Sequence, residues 1–257
     1  MSIFSALLLT PFYPHWLHDL KMRQANDHIL KGIHGVVLEV GAGNGKRKLE
    51  AIAKYKKIVK YIATDHTTWD GEFGKLDTFL TRFPYLGILI DRQKRITLDK
   101  TCDALQLPFK SSTFDYHISY EVLEHVADPV QYFSEAKRVL KNGGKAVISV
   151  PYLYRMHGGE PDHTMDYFRY SFGFFYHIKK TLRFNKIDIY VNTGGTTVAS
   201  IINQWLIRRI VEANIVVKPL YTVSSLIIFP VTNLIGYVID IYPDERFATR
   251  FHISLTK

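Results

Sequence analysis

One segment constrains the fold of this chain more than any other: a buried strand that runs directly into a glycine-rich turn. Residues 36–40 are apolar except for Glu39, and the segment 46–57 is compatible with a helix. Between them lie three glycines at alternate positions: Gly41, Gly43 and Gly45. Glycine adopts torsions that other residues avoid and lets a ligand approach the main chain. The pattern predicts a nucleotide-type binding turn at the carboxyl end of the first strand of an open α/β sheet.

Two acids suggest which part of a ligand this turn would hold. The turn departs from the dinucleotide fingerprint, because Lys46 stands where that pattern has its third glycine. Glu39 precedes the first glycine by two residues, and a carboxylate there suits an ammonium group better than a pyrophosphate. Asp65 ends the apolar segment 60–65, about 20 residues past the turn, where an acid binds ribose hydroxyls in nucleotide-binding units. The alternative is a surface aspartate at a strand end.

Two further motifs complete a set that resembles a known family. Residues 101–109 read Thr-Cys-Asp-Ala-Leu-Gln-Leu-Pro-Phe, and residues 121–129 read Glu-Val-Leu-Glu-His-Val-Ala-Asp-Pro. With the glycine turn and Asp65, they resemble the class I S-adenosylmethionine-dependent methyltransferases, and the second run is similar to the type 11 subgroup. The resemblance covers residues 30–195 of the chain.

The resemblance implies S-adenosyl-L-methionine as cofactor. The residues that it places at the cofactor are Glu39, Gly41, Ala42, Gly43, Gly45, Asp65, Asp103, Ala104 and Tyr120. It also implies a seven-stranded Rossmann-like methyltransferase sheet of the α/β class, with helices on both faces and an antiparallel last strand beside the fifth. The expected strands are 36–40, 60–65, 96–99, 114–120, 145–150, 184–191 and 247–256. Residues 141–144 are expected to form the turn before the fifth strand, and the alternating pattern of the last strand predicts a half-exposed position at the sheet edge.

The loop 152–171 is rich in His, Asp, Tyr and Arg and follows a strand end, where such sheets bind their ligands. It resembles a stretch of methyltransferases encoded among cell-surface polysaccharide genes. A hydroxyl acceptor needs a general base, and the candidates in order are His163, His157 and Asp166. A structural role is the alternative for each, with Asp166 and Arg169 bracing the loop as an ion pair.

Glu121, Glu124 and His125 leave a second alternative open. A similar run holds a divalent metal in some quinone-pathway O-methyltransferases, whereas in many relatives it lines the cofactor pocket or packs. On a helix the three side chains would share one face. We expect no metal site.

Charge and cysteine content bear on partners and compartment. The net charge of +9 is concentrated on and after the first predicted helix, and such a surface suits nucleic acid, anionic lipid or plain solvation. Nucleic acid is not an expected partner, because no arginine-rich arm, zinc-finger spacing or RNA-binding aromatic motif accompanies it. A single cysteine, Cys102, and no recognisable signal peptide lead us to expect a cytoplasmic protein. The oligomeric state stays open.

We expect one methyltransferase domain over residues 1–257, with an N-terminal helical cover of the cofactor site at 1–30. The aromatic segment 66–95 predicts a helix packed on the sheet. An apolar helical insertion is expected at 196–245, and within it residues 219–239 carry no charge. The insertion is interpreted first as a buried helical cap over the substrate site. An element at the inner membrane surface and a membrane span are the alternatives.

Three function classes follow from these patterns. The first is O-methylation of a sugar of a surface glycan or its precursor, which the 152–171 loop favours. The second is O-methylation of a lipophilic small molecule such as a quinone precursor, which Glu121, Glu124, His125 and the apolar insertion favour. The third is a catalytically silent methyltransferase-like binding protein.

Overall fold

The computed structural model describes residues 9–43, 45–66, 98–156 and 165–257. Its strands are β1 (Gly35–Val40), β2 (Ile58–Asp65), β3 (Lys100–Thr101), β4 (Phe114–Tyr120), β5 (Leu140–Pro151), β6 (Lys186–Asn192) and β7 (Arg250–Thr256). Its helices are α1 (Trp16–Ile29), α2 (Lys46–Lys54), α3 (Pro129–Val139), α4 (Phe172–Thr181), α5 (Gly194–Glu212) and α6 (Lys218–Ile239). Short 3-10 turns cover Leu123–His125 and Glu245–Phe247.

The strands form one seven-stranded sheet in the order β3-β2-β1-β4-β5-β7-β6. Neighbours from β3 to β5 are parallel, and β7 runs antiparallel to both β5 and β6. The predicted sheet, including the antiparallel last strand beside the fifth, is therefore confirmed. In this order the chain reverses its direction of winding between β1 and β4, and open α/β sheets bind ligands outside the carboxyl ends of strands at such a point.

Helices cover both faces of the sheet, which explains why its central strands are apolar on both sides. On one face Leu38 and Val40 of β1 join a core that includes Phe133 of α3 and Phe175 of α4. On the other face Val37 joins a second core with residues of β2, β4 and α2. Side chains alternate across a strand, so consecutive residues of β1 enter different environments. This alternation matters for the site at the end of β1.

The predicted position of the last strand at a half-exposed sheet edge is wrong. β7 lies between β5 and β6, and its residues 250–255 are buried. The alternating polar residues that suggested exposure, Arg250, His252 and Ser254, are 4%, 1% and 5% exposed. Polar side chains are accommodated on this face because it packs against polar groups of α1 and of the end of β4. Arg250, for example, forms an ion pair with Glu121.

Several predicted boundaries shift. β5 begins at Leu140, so the predicted turn at 141–144 is an irregular part of this strand, with six residues of β5 (140–145) opposite three of β4 (114–116). The third strand is Lys100–Thr101 rather than 96–99, of which residues 96 and 97 lie outside the described residues. The helix predicted within 66–95 lies outside them too, apart from His66.

Helices α5 and α6 form a hairpin between β6 and β7. At its base the added Cβ of a residue replacing Gly195 would lie 1.9 Å from the Gly236 carbonyl oxygen, so the two helices cross in close contact. Asp240 accepts hydrogen bonds from Thr193, Thr196 and the Gly195 backbone there. These contacts fix the base of the hairpin to the carboxyl end of β6.

The described part of the N-terminal segment packs beside this hairpin. α1 contacts β6, β7, α5 and α6. Asn203 and Asn233 of the hairpin donate to backbone carbonyls of Pro14 and of Pro11 and Tyr13. None of the residues of α1 lines the cavity described below, and its predicted role as a cover of the cofactor site stays a prediction.

Candidate active site

An open cavity of about 700 Å³ lies at the carboxyl ends of the first four strands. Its size is in the range of pockets that bury small ligands. Its lining residues are Val40, Gly41, Gly43, Asp65, His66, Cys102, Asp103, Ala104, Leu105, Glu121, Val122, His125, Val126, Ala127, Met165 and Tyr167. The predicted cofactor residues found together there are Gly41, Gly43, Asp65, Asp103 and Ala104.

The turn after β1 depends on its glycines in two different ways. Gly41 has φ +73° and a Cβ added to it would lie 2.1 Å from Val122 Cγ2, so glycine is needed for both conformation and space. Gly43 has φ +55°, and no described atom lies within 4 Å of an added Cβ. Gly43 therefore presents its backbone to the open cavity, where a ligand can approach it closely.

Two aspartates stand at the ends of neighbouring strands and face this cavity. Asp65 ends β2, and its Oδ2 accepts a hydrogen bond of 2.8 Å from the Gly43 backbone N–H. Asp103 follows β3, and its Oδ1 accepts from the Leu105 backbone N–H at 2.8 Å. The carboxylates are thus held by the main chain, with further oxygen lone pairs available to the hydroxyl and amino groups of a nucleoside.

Glu39 and Tyr120 do not line the cavity. Glu39 is fully buried on the opposite face of β1 from Val40, where Tyr61 Oη donates to its Oε2 at 3.0 Å. Arg47 lies 3.8 Å from its Oε1 and stacks on the ring of Tyr120. Burial raises the pKa of Glu39 to about 7, although Arg47 and Tyr61 lower it. The predicted contact between Glu39 and an ammonium group stays a prediction.

Ala42 and Gly45 also lie outside the cavity lining. Both are buried, and Gly45 has φ +71° at the N-cap of α2. They shape the turn rather than facing the open space.

Glu121 joins the cavity to the buried face of β7. It is a non-glycine residue with φ +55°, a conformation that costs energy and recurs at functional sites. Its carboxylate accepts from Arg250 and from Ser149, each at 2.8 Å. Burial raises the pKa of Glu121, but the Arg250 guanidinium outweighs this and holds it below its ordinary value. An ionised carboxylate is therefore fixed at the end of β4.

The Glu121, Glu124 and His125 run does not form one helical face. Only Leu123–His125 is helical, in a 3-10 turn, and Glu121 points to Arg250. Within the described residues, His, Cys, Asp and Glu side chains form no group of three that could hold a metal ion.

The far wall of the cavity contains His125, Met165 and Tyr167. His125 Nδ1 lies 2.9 Å from the Met165 carbonyl oxygen, and its Nε2 is 3.8 Å from Glu124 Oε1. The backbone N–H of Tyr167 donates to the Glu124 carbonyl at 2.8 Å. These contacts attach the loop after β5 to the end of β4, opposite the aspartates.

Asp166 is not among the residues that line the cavity. Both of its carboxylate oxygens accept from Arg169, and Arg169 also donates to the Arg155 carbonyl. The pair therefore has the bracing arrangement that was the structural alternative for Asp166. The other two predicted bases, His157 and His163, lie outside the described residues.

Comparisons with known proteins agree with this fold. Residues 88–148 match the family model described as a methyltransferase domain, Methyltransf_11. A phosphoethanolamine N-methyltransferase of Haemonchus contortus, solved with S-adenosyl-L-methionine, aligns over 100% of this chain and 60% of its own, with TM-score 0.53 and 16% identity. Residues 88–148 thus resemble a methyltransferase domain, and the chain shares the fold of S-adenosylmethionine-dependent methyltransferases.

Curated relatives of the chain match over shorter stretches. A ubiquinone biosynthesis O-methyltransferase of Coxiella burnetii is 27% identical over 167 residues, 60% of this chain and 64% of the relative. An uncharacterized protein of Methanocaldococcus jannaschii is 42% identical over 69 residues, 26% of this chain and 30% of the relative. The chain thus spans less than two thirds of the length of these relatives.

The donor groups of the cavity suit a nucleoside cofactor. Asp65 and Asp103 offer carboxylate oxygens, and the turn at Gly41 and Gly43 offers an accessible backbone. Sequence reasoning located this half of the site. It missed Met165 and Tyr167, and for His125 it offered metal binding, lining of the cofactor pocket or packing, because nothing local in the sequence shows that the loop after β5 folds back onto residues 124 and 125.

Proposed function

We propose that the protein transfers the methyl group of S-adenosylmethionine to a hydroxyl oxygen of a small acceptor. The observation that supports this most is the division of one cavity into two walls. Asp65, Asp103 and the glycine turn form a nucleoside wall, and His125, Met165 and Tyr167 form the opposite one. When bound, the cofactor supplies an activated methyl group on a sulfonium. The protein's task is then alignment, exclusion of water and removal of the acceptor proton.

His125 is the residue that we propose as the acceptor-side base among the described residues. Its contact with the Met165 carbonyl favours the tautomer with the proton on Nδ1, which leaves Nε2 to accept a proton. Its side chain is 20% exposed, so it is accessible from the cavity. His163 and His157 keep the base role as sequence-based predictions.

For the acceptor, we propose a sugar hydroxyl of a surface glycan or its precursor, because the loop 152–171 resembles methyltransferases of polysaccharide gene clusters. The alternative, a phenolic hydroxyl of a lipophilic molecule, is supported by the quinone-pathway relative and by the apolar side chains of Met165 and Tyr167. In the third possibility the domain binds the cofactor without turnover.

Radiolabelled methyl transfer to defined acceptors tests the proposal. Purified protein is incubated with S-adenosylmethionine and either lipid-linked sugars or catechols, and the labelled product is analysed. His125→Gln is expected to lower kcat about 100-fold or more, the usual effect of losing a general base, without changing cofactor affinity.

His177→Gln, at an exposed position on α4, is the matched control and should leave kcat unchanged. Equal rates for wild type and His125→Gln would remove His125 from the mechanism. Cofactor binding with no transfer to any acceptor would support the silent binding protein instead.

A further inference from the structure

The hairpin of α5 and α6 exposes an unusual amount of apolar surface. On α6 the large apolar side chains that are more than 40% exposed are Leu220, Val223, Leu226, Ile227, Val231, Leu234, Ile235, Tyr237, Val238 and Ile239. At 100° per residue they are spread over about 220° of the helix circumference. A helix on the surface of a water-soluble protein normally carries charged residues on the side opposite its buried stripe. Here that side is apolar, and residues 219–239 carry no charge.

The same surface continues onto the neighbouring elements. α5 adds the stripe Val198, Ile201, Ile202 and Trp205, spaced as one helix face and 39–54% exposed. The loop between the helices adds Ile215 and Val216, which are 86% and 80% exposed. Beyond α6, Ile241 and Tyr242 are 61% and 86% exposed. Contiguous apolar surfaces of this extent mark contact with another protein or with a membrane.

The hairpin has its own small core, so this exposure is not caused by loose packing of the two helices. Leu206, Ile207 and Ile210 of α5 pack against Phe229 of α6. Its base is fixed by Asp240 and by the close contact of Gly195 with Gly236. The exposed side chains therefore belong to a folded element that needs an external apolar environment.

Charge and shape indicate which environment that is. Residues 194–239 contain three basic residues, Arg208, Arg209 and Lys218, and a single acid, Glu212, all near the loop end of the hairpin. Arg209 lies over the ring of Trp205, an arrangement of cation and aromatic ring that suits the headgroup region of a bilayer. A second copy of the chain would cover one side of the hairpin, whereas acyl chains can surround an arc of about 220°.

We propose that the α5–α6 hairpin is a membrane-binding element. It lies in the interface of an anionic bilayer, with the exposed side chains of α6 among the acyl chains and the three basic residues at the headgroups. One described helix, Lys218–Ile239, is also long and apolar enough to cross a membrane. An interfacial position is favoured because the charged residues at the loop end would otherwise have to cross the bilayer.

Hydrogen bonds also connect the hairpin to the acceptor side of the cavity. Gln204 of α5 accepts a hydrogen bond from Arg155, which follows β5, and the Arg155 carbonyl accepts one from Arg169. Arg169 lies two residues from Tyr167 on the cavity wall. This part rests on the proposed function and implies an acceptor that is drawn from the lipid phase.

Vesicle flotation of the full-length protein tests the proposal. The wild type is expected to float with vesicles of phosphatidylcholine and phosphatidylglycerol, more weakly with phosphatidylcholine alone, and less at high salt. Leu226→Glu/Ile227→Glu should weaken flotation by about tenfold, since it places two charges on the lipid-facing side. Val59→Glu/Tyr176→Glu, at exposed apolar positions on β2 and α4, is the matched control and should float like the wild type.

The proposal is overturned if the wild-type protein floats with neither kind of vesicle. It is also overturned if the Leu226→Glu/Ile227→Glu variant floats like the wild type. A wild-type dimer in detergent-free buffer that this variant converts to a monomer overturns it as well, because a second copy then covers the surface. If the variant does not fold, Trp205 provides the readout in a Trp16→Phe/Trp69→Phe background. Quenching by brominated lipids supports the proposal, and unchanged fluorescence overturns it. None of these results depends on methyl transfer.

Discussion

Replacing Glu39 by Gln isolates the energetic effect of a buried carboxyl beneath the cofactor turn. In the folded protein burial raises the pKa of Glu39 from 4.5 to about 7. The folded state therefore holds a proton that the unfolded chain releases near pH 4.5, so the folded state binds more protons across this window. Stability then falls as the pH rises from the unfolded pKa to the folded one, and the loss persists above it.

The size of this effect follows from the shift. A difference of 2.5 pKa units, from 4.5 to about 7, corresponds to about 3 kcal/mol at about 1.4 kcal/mol per unit. Gln cannot ionise, yet its amide oxygen can still accept the hydrogen bond that Tyr61 donates. The variant should therefore not lose stability through this ionisation as the pH rises. Its free energy of unfolding relative to that of the wild type should increase by about 2 to 3 kcal/mol between pH 5 and pH 8.

Urea denaturation of both proteins at these two pH values measures the difference. Glu135→Gln is a control whose stability difference from the wild type should stay nearly constant between these two pH values, because the hydrogen bond from Arg138 lowers the pKa of Glu135 below its ordinary value of 4.5. Its stabilising contribution is present at high pH and is lost as the pH falls through its folded pKa. A wild-type minus Glu39→Gln difference that is the same at both pH values would refute the reasoning and show that Glu39 is ionised in the fold beside Arg47.

Two further substitutions test the walls of the cavity. Gly41→Ala should cost roughly 1 to 3 kcal/mol more than Gly143→Ala in urea denaturation, because both have positive φ but only the Cβ at Gly41 would meet Val122, at 2.1 Å. Equal costs would contradict this, and Val122→Ala should recover part of the loss. Arg250→Met should cost about 2 to 4 kcal/mol, since it leaves the half-buried carboxylate of Glu121 without its guanidinium. Adding Glu121→Gln should recover much of it, and no recovery would mean that another contact of Arg250 dominates.

Local sequence patterns were sufficient to predict the sheet. Phe114–Tyr120 was expected as the fourth strand and is found with the same bounds, because its apolar run is bounded by turn residues. The last strand was misplaced, since alternating polar residues at Arg250 and His252 usually mean an exposed face. They are buried because Arg250 pairs with Glu121, 129 residues away in the chain, and no local pattern reveals such a contact.

The site residues at strand ends were predictable, because the topology of the sheet fixes their position. The position of Glu39 within β1 was not, because the alternation of side chains decides which face of the strand it occupies. Gly41, Gly43, Asp65 and Asp103 follow strand ends, so the topology brings them together. Glu39 lies one residue before Val40, and therefore on the other face of β1, below the cavity. The spacing of a carboxylate from a glycine does not show which face the carboxylate occupies.

The central claim is that the cavity beside Gly43 binds the nucleoside cofactor of a methyltransferase, and isothermal calorimetry with S-adenosylhomocysteine tests it most directly. The wild type and Gly143→Arg should bind it, whereas Gly43→Arg should fold and not bind. Both glycines have positive φ, with no described atom within 4 Å of an added Cβ, but only Gly43 lines the cavity. Folded wild-type protein that binds neither S-adenosylhomocysteine nor S-adenosylmethionine, or a Gly43→Arg variant that binds as tightly as the wild type, would contradict the claim.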